Sequence, residues 1–432
     1  MNFKKKLILF LTAFALASPA FAAGDSQALI RGIRPMSMGG AFTAVVDDQN
    51  AFFYNPAGIT QRRTSLTQIF TLDFAANTRT FDFIDFYGDT RDDINNFNDL
   101  TPSQQADLIS KINNKIIGKF PNVVIGLPNI AYISAPIETG NNILSFGVGF
   151  FSYADAYFGF NRTIIPSFTY LAQYTGILSV PVAYQINSLE KIKVPGKLSA
   201  GLNIKYITRG KVEDTNLSLA EFEALSNKTP TQTGDGYGLD FGLLYALNER
   251  WNFGLQLTDA FYTNIKYGEF IDNDYPYRSR AAYTAGIRPV WNIGASYVPE
   301  KIYFWKGKYI ETSNRFTFVA DITDVANGDE KLFDSFWKKL HFGGEYKLAP
   351  LRIRAGFNSG YPTIGAAIAS NSVQLEYAFY GVEEGRYAGQ DPSWFHRLVF
   401  SVKIGENGGR PYGKNAKKDK PEPSAAEPVP EL

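Results

Sequence analysis

Residues 237–258 alternate large apolar side chains with small or polar ones, and no other stretch constrains the fold as strongly. The apolar members are Tyr237, Leu239, Phe241, Leu243, Tyr245 and Leu247, then, after a short break, Trp251, Phe253, Leu255 and Leu257. A period of two places alternate side chains on opposite faces of a β-strand. In a soluble sheet the apolar face is the core, whereas in an outer-membrane barrel it faces lipid and the mixed face lines the lumen. The rest of the sequence favours the barrel.

The first 22 residues have the organisation of a secretory signal peptide. Three lysines at positions 4–6 precede an apolar run over 7–17, and Ala20-Phe21-Ala22 presents small residues where a signal peptidase cuts. We expect cleavage after Ala22, which places the mature chain beyond the inner membrane. No apolar run of eighteen residues follows, so the pattern predicts no membrane-spanning helix.

Composition narrows the class further. The chain has no cysteine, which excludes disulfides, thiolate metal sites and a cysteine nucleophile. Aromatic residues make up 15% of the chain, as is typical of strands and of the aromatic girdles of barrels. A formal charge of +1 gives no electrostatic footprint for nucleic acid, so no nucleic-acid partner is expected.

The periodicity predicts an all-β fold, a transmembrane antiparallel β-barrel of about fourteen strands. The strands are expected at 64–74, 122–135, 142–157, 168–185, 197–208, 237–247, 251–258, 281–298, 313–323, 339–348, 351–358, 363–369, 372–382 and 394–405. Pro128 and Pro181 should interrupt two of them, because proline removes a ladder donor. Connections alternate between long and short, as in barrels with long extracellular loops and tight periplasmic turns, although 299–312 is too long and 359–362 too short for this pattern.

Two long loops carry helix signals. Thr101-Pro102-Ser103-Gln104 is a capping box, and Leu108, Ile112 and Ile116 follow at helical spacing. A second box begins at Ser218, with Leu219 and Phe222 on one side of a short helix. These apolar residues either pack on the barrel rim or form a docking surface for a hydrophobic ligand. The aspartates at 82–99 are interpreted as a solvated acidic loop, since their spacing fits no calcium-binding motif.

Other chemistry has little support. His341 and His396 lie on different strands without a spaced metal partner, so solvated or interfacial histidines are expected, with no metal, no cofactor and no enzyme activity. His396 shares an apolar face with Leu398 and Phe400, which argues against a barrel phospholipase. The lysine- and proline-rich tail 406–432 should be disordered and is a candidate contact for a periplasmic or secretion partner.

The segment between the signal and the first strand is glycine-rich, apolar and aromatic. It includes Met38-Gly39-Gly40-Ala41-Phe42-Thr43-Ala44, Asp47-Asp48 and Phe53-Tyr54-Asn55-Pro56-Ala57-Gly58. These motifs resemble the N-terminal hatch of FadL-type outer-membrane transporters, and especially their PorV-like and UPF0164 relatives. The runs at 340–346, 351–357 and 373–379 are similar to the closing strands of that group.

The resemblance implies a fourteen-stranded barrel (64–405) whose lumen holds an N-terminal hatch (23–63), in the outer membrane of a Gram-negative-type bacterium. It implies passage of long-chain fatty acids or other hydrophobic compounds, with hatch movement and a lateral opening between strands, and contact with outer-membrane lipid. The hatch and ligand candidates are Met36, Met38, Gly39, Gly40, Phe42, Phe52, Phe53, Tyr54, Asn55, Pro56 and Gly58. The same residues could instead only pack the plug.

Two other hypotheses stay open at this point. A PorV-like accessory barrel of a secretion or surface-attachment system would bind a protein through its loops, with no solute passing. A soluble periplasmic β-protein would bury the apolar faces of its strands against a second layer.

Overall fold

The strands form one closed sheet in the computed structural model, which describes residues 32–96, 99–115, 121–126, 129–161, 167–189, 193–217, 231–272, 279–303, 309–312, 315–326, 336–370, 372–383 and 389–405. The strands in these ranges, numbered in chain order, are β1 (Leu66–Asn77), β2 (Asn122–Gly126), β3 (Ile130–Ile133), β4 (Ile137–Thr139), β5 (Asn142–Asn161), β6 (Ser167–Ile186), β7 (Lys197–Leu217), β8 (Thr231–Ala246), β9 (Trp251–Thr258), β10 (Thr263–Tyr267), β11 (Tyr283–Ile287), β12 (Val290–Tyr297), β13 (Lys301–Tyr303), β14 (Tyr309–Glu311), β15 (Phe316–Ile322), β16 (Leu340–Leu348), β17 (Leu351–Asn358), β18 (Tyr361–Ala369), β19 (Val373–Glu383) and β20 (Pro392–Ile404).

Several of these segments are pieces of one barrel strand. β2, β3 and β4 pair in succession along β5, and β9 and β10 pair along β8. β11 and β12 pair with β10 and β9, so they form the next strand. β20 pairs with β1 over nearly its whole length, which closes the ring. The prediction of a fourteen-stranded antiparallel barrel is therefore confirmed.

The apolar faces of the strands point outward. On β8, Tyr237 is 71% exposed and Leu243 is 42% exposed, while Asp240 between them is 1% exposed. A soluble sandwich would show the reverse, because its apolar face would be buried against a second layer. The same orientation holds around the ring, for example at Phe74, Leu178 and Leu398. An apolar outer surface with a polar interior is what a barrel presents to hydrocarbon. Among the described helices, none is long and apolar enough to span a membrane.

The hatch lies inside this ring. It begins with helix α1 (Ile33–Ser37) and continues through two 3₁₀ helices, Gln49–Phe52 and Pro56–Gln61. Each 3₁₀ helix is capped by the preceding side chain: Asp48 accepts from the amide of Asn50 (2.9 Å), and Asn55 accepts from the amide of Ala57 (3.1 Å). Helix α1 packs against β17–β20 and the second 3₁₀ helix against β5–β8, so the hatch crosses the lumen.

The first long loop contains a helix that the sequence did not reveal. Helix α2 (Thr78–Asn95) begins at Asn77, whose side chain accepts from the amide of Thr80, and carries five of the aspartates expected in a solvated loop. This part of the connection is helical, and Asp82, Asp85 and Asp89 on it are exposed, in agreement with a solvated segment. Helix α3 (Pro102–Lys115) starts at the predicted capping box, where the amide of Thr101 donates to Oε1 of Gln104 (3.0 Å). A short helix α4 (Phe336–Lys339) precedes β16.

Some boundaries differ from the prediction. β7 and β8 extend to Leu217 and from Thr231, so part of the expected loop 209–236 is strand. Pro181 does not interrupt β6: it pairs with Asn203 on β7, and the β5–β6 ladder skips the two positions opposite Pro181 and Val180. Pro128 lies outside the described residues.

The two connections of unexpected length have simple structures. The connection after β12 is long because β13 and β14 form a hairpin there, and Ser359-Gly360 is a tight turn with positive φ at both residues.

Candidate functional site

The hatch touches the barrel wall mainly backbone to backbone. At six wall glycines a Cβ would collide with hatch atoms at 2.0–2.4 Å: Gly201, Gly242, Gly254, Gly343, Gly356 and Gly365. At Gly343, for example, it would lie 2.1 Å from the carbonyl oxygen of Met38. These positions lie on six strands, β7–β9 and β16–β18, so missing side chains on the lumen face create the space that the hatch occupies.

The hatch makes its tightest turn at Gly39-Gly40. Both residues have positive φ (70° and 79°), and a Cβ on Gly39 would lie 2.1 Å from the carbonyl oxygen of Phe342. The amide of Gly39 donates to Oγ1 of Thr363 (3.0 Å), and its carbonyl accepts from Nδ1 of His341 (2.8 Å). His341 is therefore buried in the lumen and holds the hatch, which corrects the expectation of a solvated or interfacial histidine.

Arg34 is the main charged link between hatch and wall. Its guanidinium makes a bidentate contact with Glu345 on β16, with Nε to Oε2 at 3.1 Å and Nη2 to Oε1 at 2.9 Å. Its Nη1 also reaches Asp47 and, at 2.8 Å, Asp48, both within the hatch. One buried side chain therefore folds the hatch on itself and fixes it to the wall.

Further ion pairs continue this link around the lumen. Arg354 on β17 joins Glu345 (2.8 Å) and Glu376 on β19 (2.5 Å), and Arg397 on β20 pairs with Asp73 on β1 (2.5 Å). Every one of these side chains is at least 90% buried. Buried charges are tolerated only when they are paired and hydrogen-bonded, as they are here.

The charge states of the hatch residues follow from this pairing. Burial by itself lowers the pKa of the Arg34 guanidinium, but the surrounding carboxylates outweigh it and hold that pKa well above its ordinary value. Burial raises the pKa of the Asp48 carboxyl, yet attraction to Arg34 is stronger and the net pKa lies below its ordinary value. Both groups are ionised at neutral pH.

Asp321 on β15 fixes the middle of the hatch. Its Oδ2 accepts from the amides of Phe42 (2.7 Å) and Thr43 (2.8 Å). A carboxylate that accepts two backbone amides is a strong anchor, because hydrogen bonds to charged groups are stronger than neutral ones.

The remaining hatch residues build an apolar cluster inside the lumen. Met38, Phe42 and Phe52 are almost fully buried, and the Phe52 and Phe53 rings lie 5.2 and 4.6 Å from the ring of Phe151 on β5. The wall contributes Ile177, Ile207, Ile265 and Ile287 from four neighbouring segments between β6 and β11. Met36 belongs to a second cluster on the opposite wall.

The predicted ligand residues are thus packed as a plug. Small cavities lie beside them: one of about 40 Å³ is between the hatch and β1, β5, β19 and β20, and another of about 30 Å³ is beside Arg34 and Val45. Phe53 lines the first of these cavities together with polar residues such as Gln68, Asp73 and Arg397. This space admits a few water molecules. A ligand role for the predicted residues remains a prediction that requires the hatch to move.

The predicted loop docking residues are only partly brought together. On α3, Leu108 is buried and Ile112 is half-buried, while neighbouring Ile109 is exposed. Ile116, Leu219 and Phe222 lie outside the described residues.

The two histidines considered for catalysis and metal binding both lie in the described part of the chain. His396 lies on the outer face beside Tyr377, whose hydroxyl is 2.8 Å from its Nδ1, so its predicted interfacial position agrees with the structure. No cluster that could hold a metal ion occurs among the described residues.

The sequence reasoning missed Arg34, Glu345, Asp321 and His341 as site residues. A usable signal existed, because these wall residues occupy the lumen-facing positions of strands whose alternate positions are apolar.

Comparison with known proteins gives matches to solved structures only. No protein-family model and no curated protein matches this chain. Similar structures are the toluene transporter TodX of P. putida (11% identity, 87% of this chain and 98% of that chain, TM-score 0.46) and the toluene transporter TbuX of Ralstonia pickettii (12%, 87% and 98%, 0.47). A FadL homologue of Pseudomonas aeruginosa is also similar (11%, 89% and 98%, 0.42).

The fourteen-stranded antiparallel barrel is established by the strand pairing itself. The PorV-like and UPF0164 part of the resemblance stays a prediction.

Proposed function

We propose that this chain is an outer-membrane barrel that takes up hydrophobic compounds, and that its hatch must move for a solute to pass. The observation that carries the proposal is the apolar cluster in the lumen. The interior of an aqueous pore is polar, whereas here Ile177, Ile207 and Ile265 line one wall and meet Phe42 and Phe52 of the hatch. Hatch displacement would uncover an apolar surface on that wall.

Energetics support an apolar cargo. Burial of apolar area stabilises a bound compound by about 25 cal/mol per Å², and the lumen wall offers that area once the hatch side chains leave it. A polar solute would gain little there and would have to lose hydration. Long-chain fatty acids are one cargo of this kind, and the barrel wall does not distinguish them from other apolar compounds.

The polar links suit a hatch that is held in the closed state and released when a solute passes. Arg34 of the hatch binds Glu345, while Asp321 and His341 of the wall bind the hatch backbone. A shift of the hatch by a few ångströms would break these directional contacts together. The accessory-barrel hypothesis requires loops that bind a protein, and no contact in the described part of the chain favours it. The tail 406–432, a separate candidate contact for a partner, lies outside the described residues.

A disulfide between hatch and wall tests the proposal. Thr60 Oγ1 lies 2.9 Å from Ser199 Oγ on β7, and the chain has no native cysteine, so a T60C/S199C pair is close enough to be bridged. In intact cells, uptake of an apolar fluorescent dye should stop in the oxidised pair and return after reduction. Each single-cysteine variant is the matched control and should transport normally.

Uptake by wild type no faster than by cells lacking the protein would refute transport of that class of solute. Normal uptake by the oxidised pair, with the bridge verified by mass spectrometry, would refute hatch movement at this point of the wall.

A further inference from the structure

A second cavity, of about 200 Å³, lies at the extracellular end of the lumen, remote from the hatch anchors. Its lining residues are Lys211, Glu213, Gln232, Arg280, Ala281 and Tyr283. Lys211 pairs with Gln232 across β7 and β8, four residues beyond Ile207 on the same face of β7. At about 3.4 Å per residue, that places Lys211 about 14 Å along the strand from Ile207 of the apolar wall.

The lining combines positive charge with an aromatic wall. Lys211 and Arg280 are cationic, and Glu213, which is 3.2 Å from the Lys211 ammonium, is the one carboxylate among the lining residues. The ring of Tyr283 is stacked on Tyr267 with centroids 4.7 Å apart and planes at 10°. The Lys211 ammonium lies 5.4 Å from the Tyr283 ring centroid, within cation–π distance.

One lining residue, Tyr283, connects the cavity to the apolar wall of the lumen. Tyr267 and Tyr283 pack on the same cluster as Ile265 and Ile287, so the cationic rim gives way directly to the lumen wall described above. A compound with a negatively charged end and an apolar body matches this sequence of surfaces. The flat tyrosine pair favours a planar body, because stacked rings are stabilised beyond their area burial.

Size restricts the compound further. Pockets for drug-sized ligands have volumes of about 300–1,000 Å³, so a cavity of about 200 Å³ suits a single ring with one small substituent. We propose that this cavity binds a small aromatic carboxylate, whose anionic group contacts Lys211 and Arg280 while its ring lies against Tyr283. This binding proposal rests on the proposed function in one respect only, namely that the cavity lies on the route of the solute.

Ligand-observed NMR titration of benzoate against the full chain in detergent tests this site without any transport step. Wild type should bind benzoate, and K211M should weaken binding at least about tenfold, because a hydrogen bond to a charged group is lost. R280Q should act in the same direction, and K211R should restore binding. Lys266 on β10 is exposed on the outer face, so K266M is the matched control and should bind as wild type does.

Other ligands separate charge from shape. Benzyl alcohol, which keeps the ring but lacks the charge, and sulfate, which keeps charge but lacks the ring, should each bind at least about tenfold more weakly than benzoate. Equal binding of either ligand, unchanged affinity in K211M, or no benzoate binding by wild type would overturn the proposal. Retention of the heat-modifiable band on a gel verifies that each variant is a folded barrel.

The two proposals fail separately. Loss of benzoate binding leaves dye uptake and its disulfide block intact, whereas loss of dye uptake leaves the binding titration readable.

Discussion

Replacing Arg34 should release the hatch without opening the barrel. Arg34 is 6% exposed and contacts Asp47, Asp48 and Glu345. In R34M the side chain keeps most of its apolar length but loses its charge, so these carboxylates are left buried with fewer partners. Removing one member of a buried ion pair costs about 3–5 kcal/mol. Because every 1.4 kcal/mol is a factor of ten, the open state of the hatch should be populated roughly 150- to 5,000-fold more.

Hydrogen exchange with mass spectrometry measures this change directly. The amides of Phe42 and Thr43, bonded to Asp321, should exchange faster by that factor, while amides in β6 keep the wild-type rate. R250M is the matched control, because Arg250 pairs with Glu300 on the surface and exposed pairs contribute about 0–1 kcal/mol. Unchanged exchange at the hatch, or equal acceleration in hatch and β6, would refute Arg34 as the link between them.

Three further predictions concern the contacts that hold the hatch in the lumen. G39A should expose the hatch to protease, because its Cβ collides with the carbonyl of Phe342, whereas G140A, with φ of 65° and no atom within 4 Å of the added Cβ, should cost only about 1–2 kcal/mol and leave digestion unchanged. D321N should loosen the hatch by about 1–3 kcal/mol in the exchange assay, since two charge-assisted bonds become neutral, and wild-type protection would contradict this. In the docked hatch the pKa of Asp48 is lowered from the value of about 3.9 that an undocked carboxyl would have. Asp48 therefore stabilises docking fully at pH values above about 3.9, and this stabilisation is lost as the pH falls through the docked pKa. Pepsin cleavage of the hatch should rise steeply below about pH 4 in wild type but less so in D48N.

The sequence predicted the strands of the barrel better than the contacts between the hatch and the barrel wall. The number of strands and the face on which each side chain lies could be predicted from short segments, because a period of two is a property of each strand alone. Tyr237 and Asp240 are an example. The position of the hatch in the lumen followed from its composition and from the family resemblance. Helix α2 was missed because its aspartates and aromatic residues do not separate into clear polar and apolar faces.

The charged contacts were not predictable in the same way. Arg34 and Glu345 are 311 positions apart, and their meeting depends on which strands face α1 across the closed ring. That arrangement is a property of barrel closure and strand stagger, which no single segment encodes. Glu345 and Arg354 occupy inward-facing positions of β16 and β17, which the period of two could have indicated, but their partners became visible only in three dimensions.

The wall glycines described above let the hatch fit the wall largely independently of the side chains that the hatch carries. Where Gly254, Gly343 and Gly356 meet the main chain of the hatch, the match depends on the course of the backbone and hardly on which side chains the hatch carries. Hatch side chains that point elsewhere are then free to diversify, and with them the surface a cargo would meet. In a distant homologue, glycines on the inward face of the strands should be a better marker of this architecture than the amino-acid sequence of the hatch itself.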